Sequence, residues 1–144
     1  MIQVHFYEPH GIFEKCVSFF GRTKYCHVAI QYGHVVVEST AGKGVIRRIN
    51  YQSENSDLVY MMSSPSIDEL DAWTMRQIGQ RYGYLDNSQT VVRKWFHWRL
   101  GGNPKGPTCV ELACRMITEQ CRRLMVYEVG MTPDELADSL GSIS

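Results

Sequence analysis

A stretch rich in glycine and proline late in the chain determines where a helix can begin. Gly and Pro recur between positions 101 and 107, and such a stretch breaks regular structure. Thr108 follows as a helix-capping residue, and apolar residues then recur at helical spacing, which predicts a buried helix from Cys109 to about Leu124. Free backbone N–H groups and the helix dipole lower the pKa of a thiol in a first turn. Because those N–H groups also stabilise an oxyanion, Cys109 is predicted to be a nucleophile.

A base for this nucleophile is predicted at His27, in the first of two neighbouring strands. Segment 25–32 is rich in β-branched and aromatic residues, and a second strand, 35–40, follows a short turn that contains Gly33. This arrangement predicts a hairpin that brings His27 and Glu38 side by side on one face. A carboxylate at Glu38 would hold the imidazole in one tautomer and stabilise its charged form.

The order of these segments resembles the circularly permuted branch of the NlpC-type papain-like cysteine hydrolases, in which the histidine strand precedes the cysteine helix. The segments that carry the resemblance are 13–20 with 25–30, Val36–Ser39, Gly83–Asp86, Thr108–Leu112 and Thr132–Leu136. Two features depart from the family pattern, namely Cys26 directly before His27 and the basic, Trp-rich stretch 93–99. The resemblance implies a single α+β domain over 1–144 with a permuted papain-like fold. In that fold an antiparallel sheet packs against helices, and the nucleophilic cysteine begins a helix.

The resemblance also implies a reaction that proceeds through a thioester on Cys109, with His27 as base and Glu38 as the residue that orients it. A tyrosine before the nucleophile helix helps to build the oxyanion site in the unpermuted relatives. Tyr84 resembles that tyrosine, and the alternative is a core or turn residue. Neither a cofactor nor a metal is expected.

Three hypotheses for function stay open. The first is an amide-cleaving hydrolase that acts on a cell-wall peptide or another isopeptide. The second is an acyl-lipid hydrolase or acyltransferase, because lecithin–retinol-acyltransferase-like relatives share the permuted order. The third is a non-catalytic structural or binding module of a phage particle or secretion system.

Composition argues against several classes of function. A length of 144 residues fits one domain, and a formal net charge of zero gives no electrostatic basis for a nucleic-acid partner. No apolar run approaches the roughly 20 residues that a transmembrane helix needs, so no stable membrane insertion is expected. We recognise no secretory signal in the sequence. The sequence also lacks the paired spacing of cysteines or histidines that is typical of zinc sites. Five cysteines without a disulfide pattern favour a reducing compartment, and hence a cytoplasmic or phage-associated protein. The oligomeric state stays open.

Further strands and helices complete the predicted α+β unit. The predicted strands are 2–7, 44–49 and 56–62. The predicted helices are 12–20, 67–82, 90–100 and one that begins at Pro133 after a Thr132 cap. Segment 83–87 is predicted to be a turn. Buried positions are predicted for Cys16, Cys114 and Cys121. The stretch 93–99 is predicted to place its Trp and Phe residues in the core, and the alternatives are stacking on nucleic acid, a position at a membrane surface or a position in the substrate cleft. His34 is an alternative to Glu38 as the orienting residue, but its place in the turn predicts an exposed side chain. Surface or structural roles are predicted for His5, His10 and His97.

Overall fold

A five-stranded antiparallel sheet and five helices make up the part of the chain that the computed structural model describes, which is 1–50, 55–96, 106–121 and 123–142. The strands are β1 (Ile2–Tyr7), β2 (His27–Tyr32), β3 (Val35–Thr40), β4 (Gly44–Ile49) and β5 (Leu58–Met62), and their order across the sheet is β4-β3-β2-β1-β5. The helices are α1 (Ile12–Gly21), α2 (Ile67–Gln77), α3 (Tyr84–Phe96), α4 (Cys109–Gln120) and α5 (Pro133–Gly141).

The predicted α+β class with an antiparallel sheet is confirmed, whereas several helix boundaries differ from the prediction. Helix α2 ends at Gln77 instead of residue 82, because Ile78 leaves the helical region and Gly79 has a φ of 83°. The turn predicted over 83–87 is wrong, since α3 already begins at Tyr84. Helix α4 ends at Gln120, before the predicted Leu124. Residues 97–105 of the predicted helix and breaker stretch lie outside the described residues.

The core lies between one face of the sheet and the helices. Side chains alternate between the two faces of a strand, and Ile2, Val4 and Phe6 of β1 are fully buried on the core face. Helix α4 packs across β2 and β3 and buries Leu112 and Met116 there. Each fully buried side chain of this size stabilises the fold by about 1.5–3 kcal/mol. This packing fixes α4, and therefore its first residue, relative to β2.

The exposed aromatic residues of α1 and α3 contradict one prediction. Helices α1 and α3 pack against each other, and Phe19, Phe20, Trp95 and Phe96 expose 68%, 52%, 41% and 64% of their surface. The indole N–H of Trp95 donates to the Phe20 carbonyl at 2.6 Å, so the ring lies on α1 instead of in the core. We call these four residues the aromatic patch. Helical spacing correctly indicates an apolar stripe, but it does not specify what the stripe contacts.

Cysteines and histidines outside the predicted site take varied positions. Cys114 is buried as predicted, Cys121 is half-buried, and the prediction that Cys16 is buried is wrong because α1 leaves it exposed. His5 has a structural role, since its ring is buried and bonds to the Ser56 hydroxyl at 2.9 Å. His34 is exposed, as predicted. None of the described helices has the length and hydrophobicity that crossing a membrane requires.

Segment 79–83 connects the sheet edge with the entry to α4. The Val45 N–H donates to the Gln80 carbonyl at 2.9 Å, which attaches the segment to β4. A Cβ added at Gly83 would lie 2.5 Å from the Gly106 carbonyl oxygen and 3.2 Å from the Thr108 nitrogen. Only glycine allows the two backbones to approach so closely.

We therefore expect Gly83→Ala to lower the free energy of unfolding by about 1–3 kcal/mol, because the added methyl group forces two backbone segments apart. Gly21→Ala is the matched control, since its added Cβ would make only ordinary contacts at 3.6 Å. Urea denaturation of both variants measures the difference. Equal stability of the two variants would show that the close approach at Gly83 is unimportant.

Candidate active site

Cys109 is the first residue of α4, as the sequence predicts. The Thr108 hydroxyl accepts a hydrogen bond from the Glu111 N–H at 3.2 Å and caps the helix. The buried Ser39 hydroxyl of β3 donates to the Pro107 carbonyl at 2.7 Å, a contact that the sequence alone does not reveal. The cap and this hydrogen bond fix the start of α4 against the sheet, so the backbone that carries Cys109 is held from both sides.

His27 and Glu38 meet across β2 and β3 in a diagonal arrangement. The register places Glu38 opposite Ala29, so His27 is two residues away from the directly opposed position. Diagonal neighbours on one face are still within reach of long side chains. The His27 Nε2 and Glu38 Oε2 atoms lie 2.7 Å apart. The predicted contact between imidazole and carboxylate is therefore present, although the two residues are not directly opposed.

The Cys109 thiol contacts the other side of the same imidazole. Its sulfur forms a hydrogen bond with the His27 side chain and accepts hydrogen bonds from the backbone N–H groups of Val28 and Val110. Because Nε2 contacts Glu38, Nδ1 is the ring nitrogen that remains for the thiol. Only 6% of the Cys109 surface is exposed. Cys109, His27 and Glu38 thus form a continuous chain of hydrogen bonds.

The charges in this chain favour a proton on the imidazole. Burial raises the pKa of the Cys109 thiol, but the hydrogen bond and charge of His27 and the two backbone N–H groups bring it below its ordinary value. Burial alone would lower the pKa of His27, whereas Cys109 and Glu38 raise it to about 10. Both shifts act in the direction that transfers the thiol proton to the imidazole, that is, toward a thiolate and an imidazolium.

Glu38 is held ionised between two cations. Its Oε1 atom lies 2.8 Å from Arg48 Nη2, while Oε2 contacts His27. Burial raises the pKa of the Glu38 carboxyl, but His27, Arg48 and Lys43 together hold it below its ordinary value. The sequence alone does not assign Arg48 to the site. The signal that could have revealed it is the alternation of β4, which places Arg48 opposite Val36 and so on the same sheet face as Glu38.

Tyr84 is the first residue of α3, and its side chain contacts the turn between β3 and β4. Its hydroxyl accepts a hydrogen bond from the Gly42 N–H at 2.6 Å, and 56% of its surface is exposed. Among the described residues, no hydrogen bond joins Tyr84 to Cys109 or His27. Its role in an oxyanion site therefore stays a prediction. The Cys109 N–H is the donor that the geometry provides, because first-turn N–H groups have no partner within a helix.

The neighbouring thiols differ electrostatically from Cys109. Burial raises the pKa of Cys26 to about 11, and its sulfur lies 3.4 Å from the Tyr7 carbonyl oxygen. Burial also raises the pKa of Cys114 to about 12. Both side chains therefore remain protonated thiols at neutral pH. Within the described part of the chain, no cluster of three or more His, Cys, Asp or Glu side chains could hold a metal ion.

Comparison of the chain with models of known protein families gives no match, and comparison with curated proteins gives none either.

We expect iodoacetamide to alkylate Cys109 with an apparent pKa below the free-thiol value of about 8.5. His27→Ala removes the imidazolium, so the apparent pKa should rise by at least about one unit, and labelling near pH 6.5 should slow about tenfold or more. Peptide mass spectrometry across a pH series measures both variants. Slow labelling that is the same with and without His27 would contradict the ion pair.

We expect Glu38→Gln to lower the pKa of His27 and to reduce the thiolate fraction of Cys109, because the imidazolium loses its carboxylate partner. Alkylation near pH 6.5 should slow roughly threefold to tenfold, since one pKa unit corresponds to a tenfold change. Glu69→Gln is the control, because Glu69 is exposed on the first turn of α2. An equal alkylation rate in Glu38→Gln and Glu69→Gln would show that Glu38 does not influence the Cys109 thiol.

Proposed function

We propose that this protein is a cysteine hydrolase that cleaves an amide bond through a thioester on Cys109. The observation that carries the proposal is the hydrogen-bonded chain from Cys109 through His27 to Glu38. A nucleophile, a base and a residue that orients the base are the three parts that this chemistry requires. The order of the histidine strand β2 before the cysteine helix α4 also supports a permuted papain-like fold.

Acylation begins from the thiolate and imidazolium. The Cys109 sulfur attacks the substrate carbonyl carbon, and the carbonyl oxygen becomes an oxyanion that accepts a hydrogen bond from the Cys109 N–H. As the tetrahedral intermediate collapses, the carbon–nitrogen bond breaks and His27 gives its proton to the leaving amine. The products of this step are a free amine and a thioester on Cys109, and His27 is left neutral.

Deacylation reverses the role of the imidazole. Neutral His27 takes a proton from water, and the resulting hydroxide attacks the thioester carbonyl. The carbon–sulfur bond then breaks, which releases the carboxylic acid and restores the Cys109 thiolate. Glu38 stays ionised throughout and stabilises the imidazolium each time it forms, because Arg48 and His27 keep its pKa low.

A cell-wall peptide or another isopeptide is the first substrate class, as the resemblance to the permuted NlpC-type hydrolases implies. An acyl lipid is the second candidate, and the aromatic patch is the observation that favours it. Exposed Trp and Phe side chains beside cations are typical of surfaces that lie at a lipid interface. Arg22 lies 4.4 Å from the centre of the Trp95 ring, so the patch includes such a cation.

A purely structural module is less compatible with the electrostatics of the site. Burying an ionised pair costs free energy, and perturbed pKa values of this kind cluster at functional sites. A scaffold that had lost catalysis would have no need to keep a thiolate and an imidazolium beside a buried carboxylate. The charges around Cys109 therefore favour an enzyme over a binding module.

We expect Cys109→Ala to lower hydrolysis of a cell-wall peptide panel by at least about 10³-fold, because the variant cannot form the thioester. Cys16→Ser, at an exposed thiol of α1, is the control and should keep full activity. Acid quenching followed by intact-protein mass spectrometry should detect an acyl group on wild-type protein only. A parallel panel of acyl lipids distinguishes the second substrate class. Hydrolysis that survives in Cys109→Ala would overturn the mechanism.

A further inference from the structure

A cavity of about 390 Å³ lies between the β3–β4 turn and the segment that leads into α3. Lys43 projects from the turn, and Arg81, Tyr82 and Tyr84 come from the segment. The volume falls within the range of pockets that hold small ligands or substrate side groups. We call this cavity the basic cleft.

The basic cleft lies at the end of the sheet that carries the Cys109–His27 pair. Strands β2 and β3 are antiparallel, and Ala29 is opposite Glu38, so the end of β3 is level with the start of β2 at His27. The β3–β4 turn, which forms one wall of the cleft, follows β3 directly. The Ser39 hydroxyl, one residue before the end of β3, also holds the Pro107 carbonyl.

The second wall of the cleft contacts the start of the nucleophile helix. Gly83, between the two tyrosines that line the cleft, packs so closely on Thr108 that an added Cβ would lie 3.2 Å from the Thr108 nitrogen. The Tyr84 hydroxyl joins the two walls, because it bonds to the Gly42 N–H of the turn. The segment that forms this wall therefore also contacts the backbone that precedes Cys109.

The charge of the cleft is positive, and part of the Lys43 charge acts on the nearby Glu38 carboxyl. Lys43 and Arg81 are both exposed, and neither forms an ion pair with a carboxylate among the described residues. The nearby Glu38 carboxylate is already shared between His27 and Arg48. The rings of Tyr82 and Tyr84 meet edge to face with 5.2 Å between their centres. The two cations suit a carboxylate or phosphate group, and the aromatic rings suit an apolar or planar group attached to it.

We propose that the basic cleft is a substrate subsite in which Lys43 and Arg81 bind a carboxylate or phosphate group of the molecule that Cys109 attacks. This inference rests on the proposed function and specifies its substrate as anionic. A carboxylate would come from an acidic peptide, and a phosphate would come from a lipid headgroup. Both sources present the same chemistry to the two cations.

Paired alkylating probes of Cys109 test the subsite without a known substrate. N-chloroacetyl-isoglutamine carries one carboxylate, and its neutral partner is the diamide N-chloroacetyl-glutaminamide. N-chloroacetyl-phosphoethanolamine is compared in the same way with N-chloroacetyl-ethanolamine. We expect the wild-type protein to react about threefold to tenfold faster with at least one anionic probe than with its neutral partner, which lies within the range expected of two exposed ion pairs acting together. The pair with the larger ratio identifies the carboxylate or the phosphate source.

The variants separate the cleft from the general attraction of the His27 imidazolium. In the double variant Lys43→Gln/Arg81→Gln, only His27 remains to attract an anionic probe. The ratio of the alkylation rate with the anionic probe to the rate with the neutral probe should therefore fall at least about threefold below its wild-type value. The single variant Arg81→Lys, with Lys43 intact, should keep the preference for the anionic probe. Arg76→Gln removes an exposed cation of α2 and should leave that preference unchanged.

The outcomes distinguish the two proposals. Fast alkylation of Cys109 with an equal ratio in wild type and the double variant would overturn the subsite and leave the nucleophile intact. Failure of Cys109 to react with any probe would overturn the proposed function, and the subsite with it. A ratio that falls in the double variant but not in Arg76→Gln supports the subsite.

Discussion

The buried contact between Cys109 and His27, in which the pKa shifts favour a thiolate and an imidazolium, is the interaction on which the rest of the site depends. Taking two charges out of water is costly unless each finds close partners. The sulfur has them in the Val28 and Val110 N–H groups, and the imidazolium has one in Glu38. Each partner comes from the backbone or from a packed strand, so the charges are stabilised by groups that are already fixed in place.

The fold achieves this by bringing three separate segments to one end of the sheet. His27 begins β2, Glu38 lies near the end of β3, and Cys109 begins α4. The core holds α4 across both strands, and the hydrogen bond from Ser39 to Pro107 fixes the backbone before Cys109. Precise placement matters because misplacing reacting groups by about 1 Å can cost a factor of about 10² in rate. The chemistry therefore depends on the same packing that stabilises the sheet.

The positions of Cys109, His27 and Glu38 were predictable because each lies in a strong local pattern. A breaker followed by a capping residue marks the start of a helix at Cys109, and the short turn after residue 32 implies that the strands of His27 and Glu38 pair. Arg48 was not predictable in the same way, because its contact with Glu38 depends on the register between β3 and β4. A register shift of one residue would move Arg48 to the other face of the sheet.

The errors at the periphery have a different physical origin. Helical periodicity indicates that α1 and α3 each have an apolar side, but it cannot specify whether that side contacts the core, another helix or solvent. Trp95 was therefore predicted in the core, whereas it lies on α1. The start of α3 was missed because Gly83 and its neighbours resemble a turn, although Gly83 serves a close approach of two backbones. Tertiary contacts decide both cases, and no local pattern encodes them.

The protonation state of His27 tests the ion pair most directly. In protein with ¹⁵N-labelled histidine, the ring resonances of His27, assigned with His27→Ala, report whether one or both nitrogens carry a proton. The account predicts that His27 stays doubly protonated at about pH 8, well above the ordinary histidine pKa of about 6.5. It further predicts titration near pH 10 and a lower pKa in Cys109→Ser, where the thiolate is lost. A neutral His27 ring at about pH 8 in the wild-type protein would contradict the ion pair and the mechanism built on it.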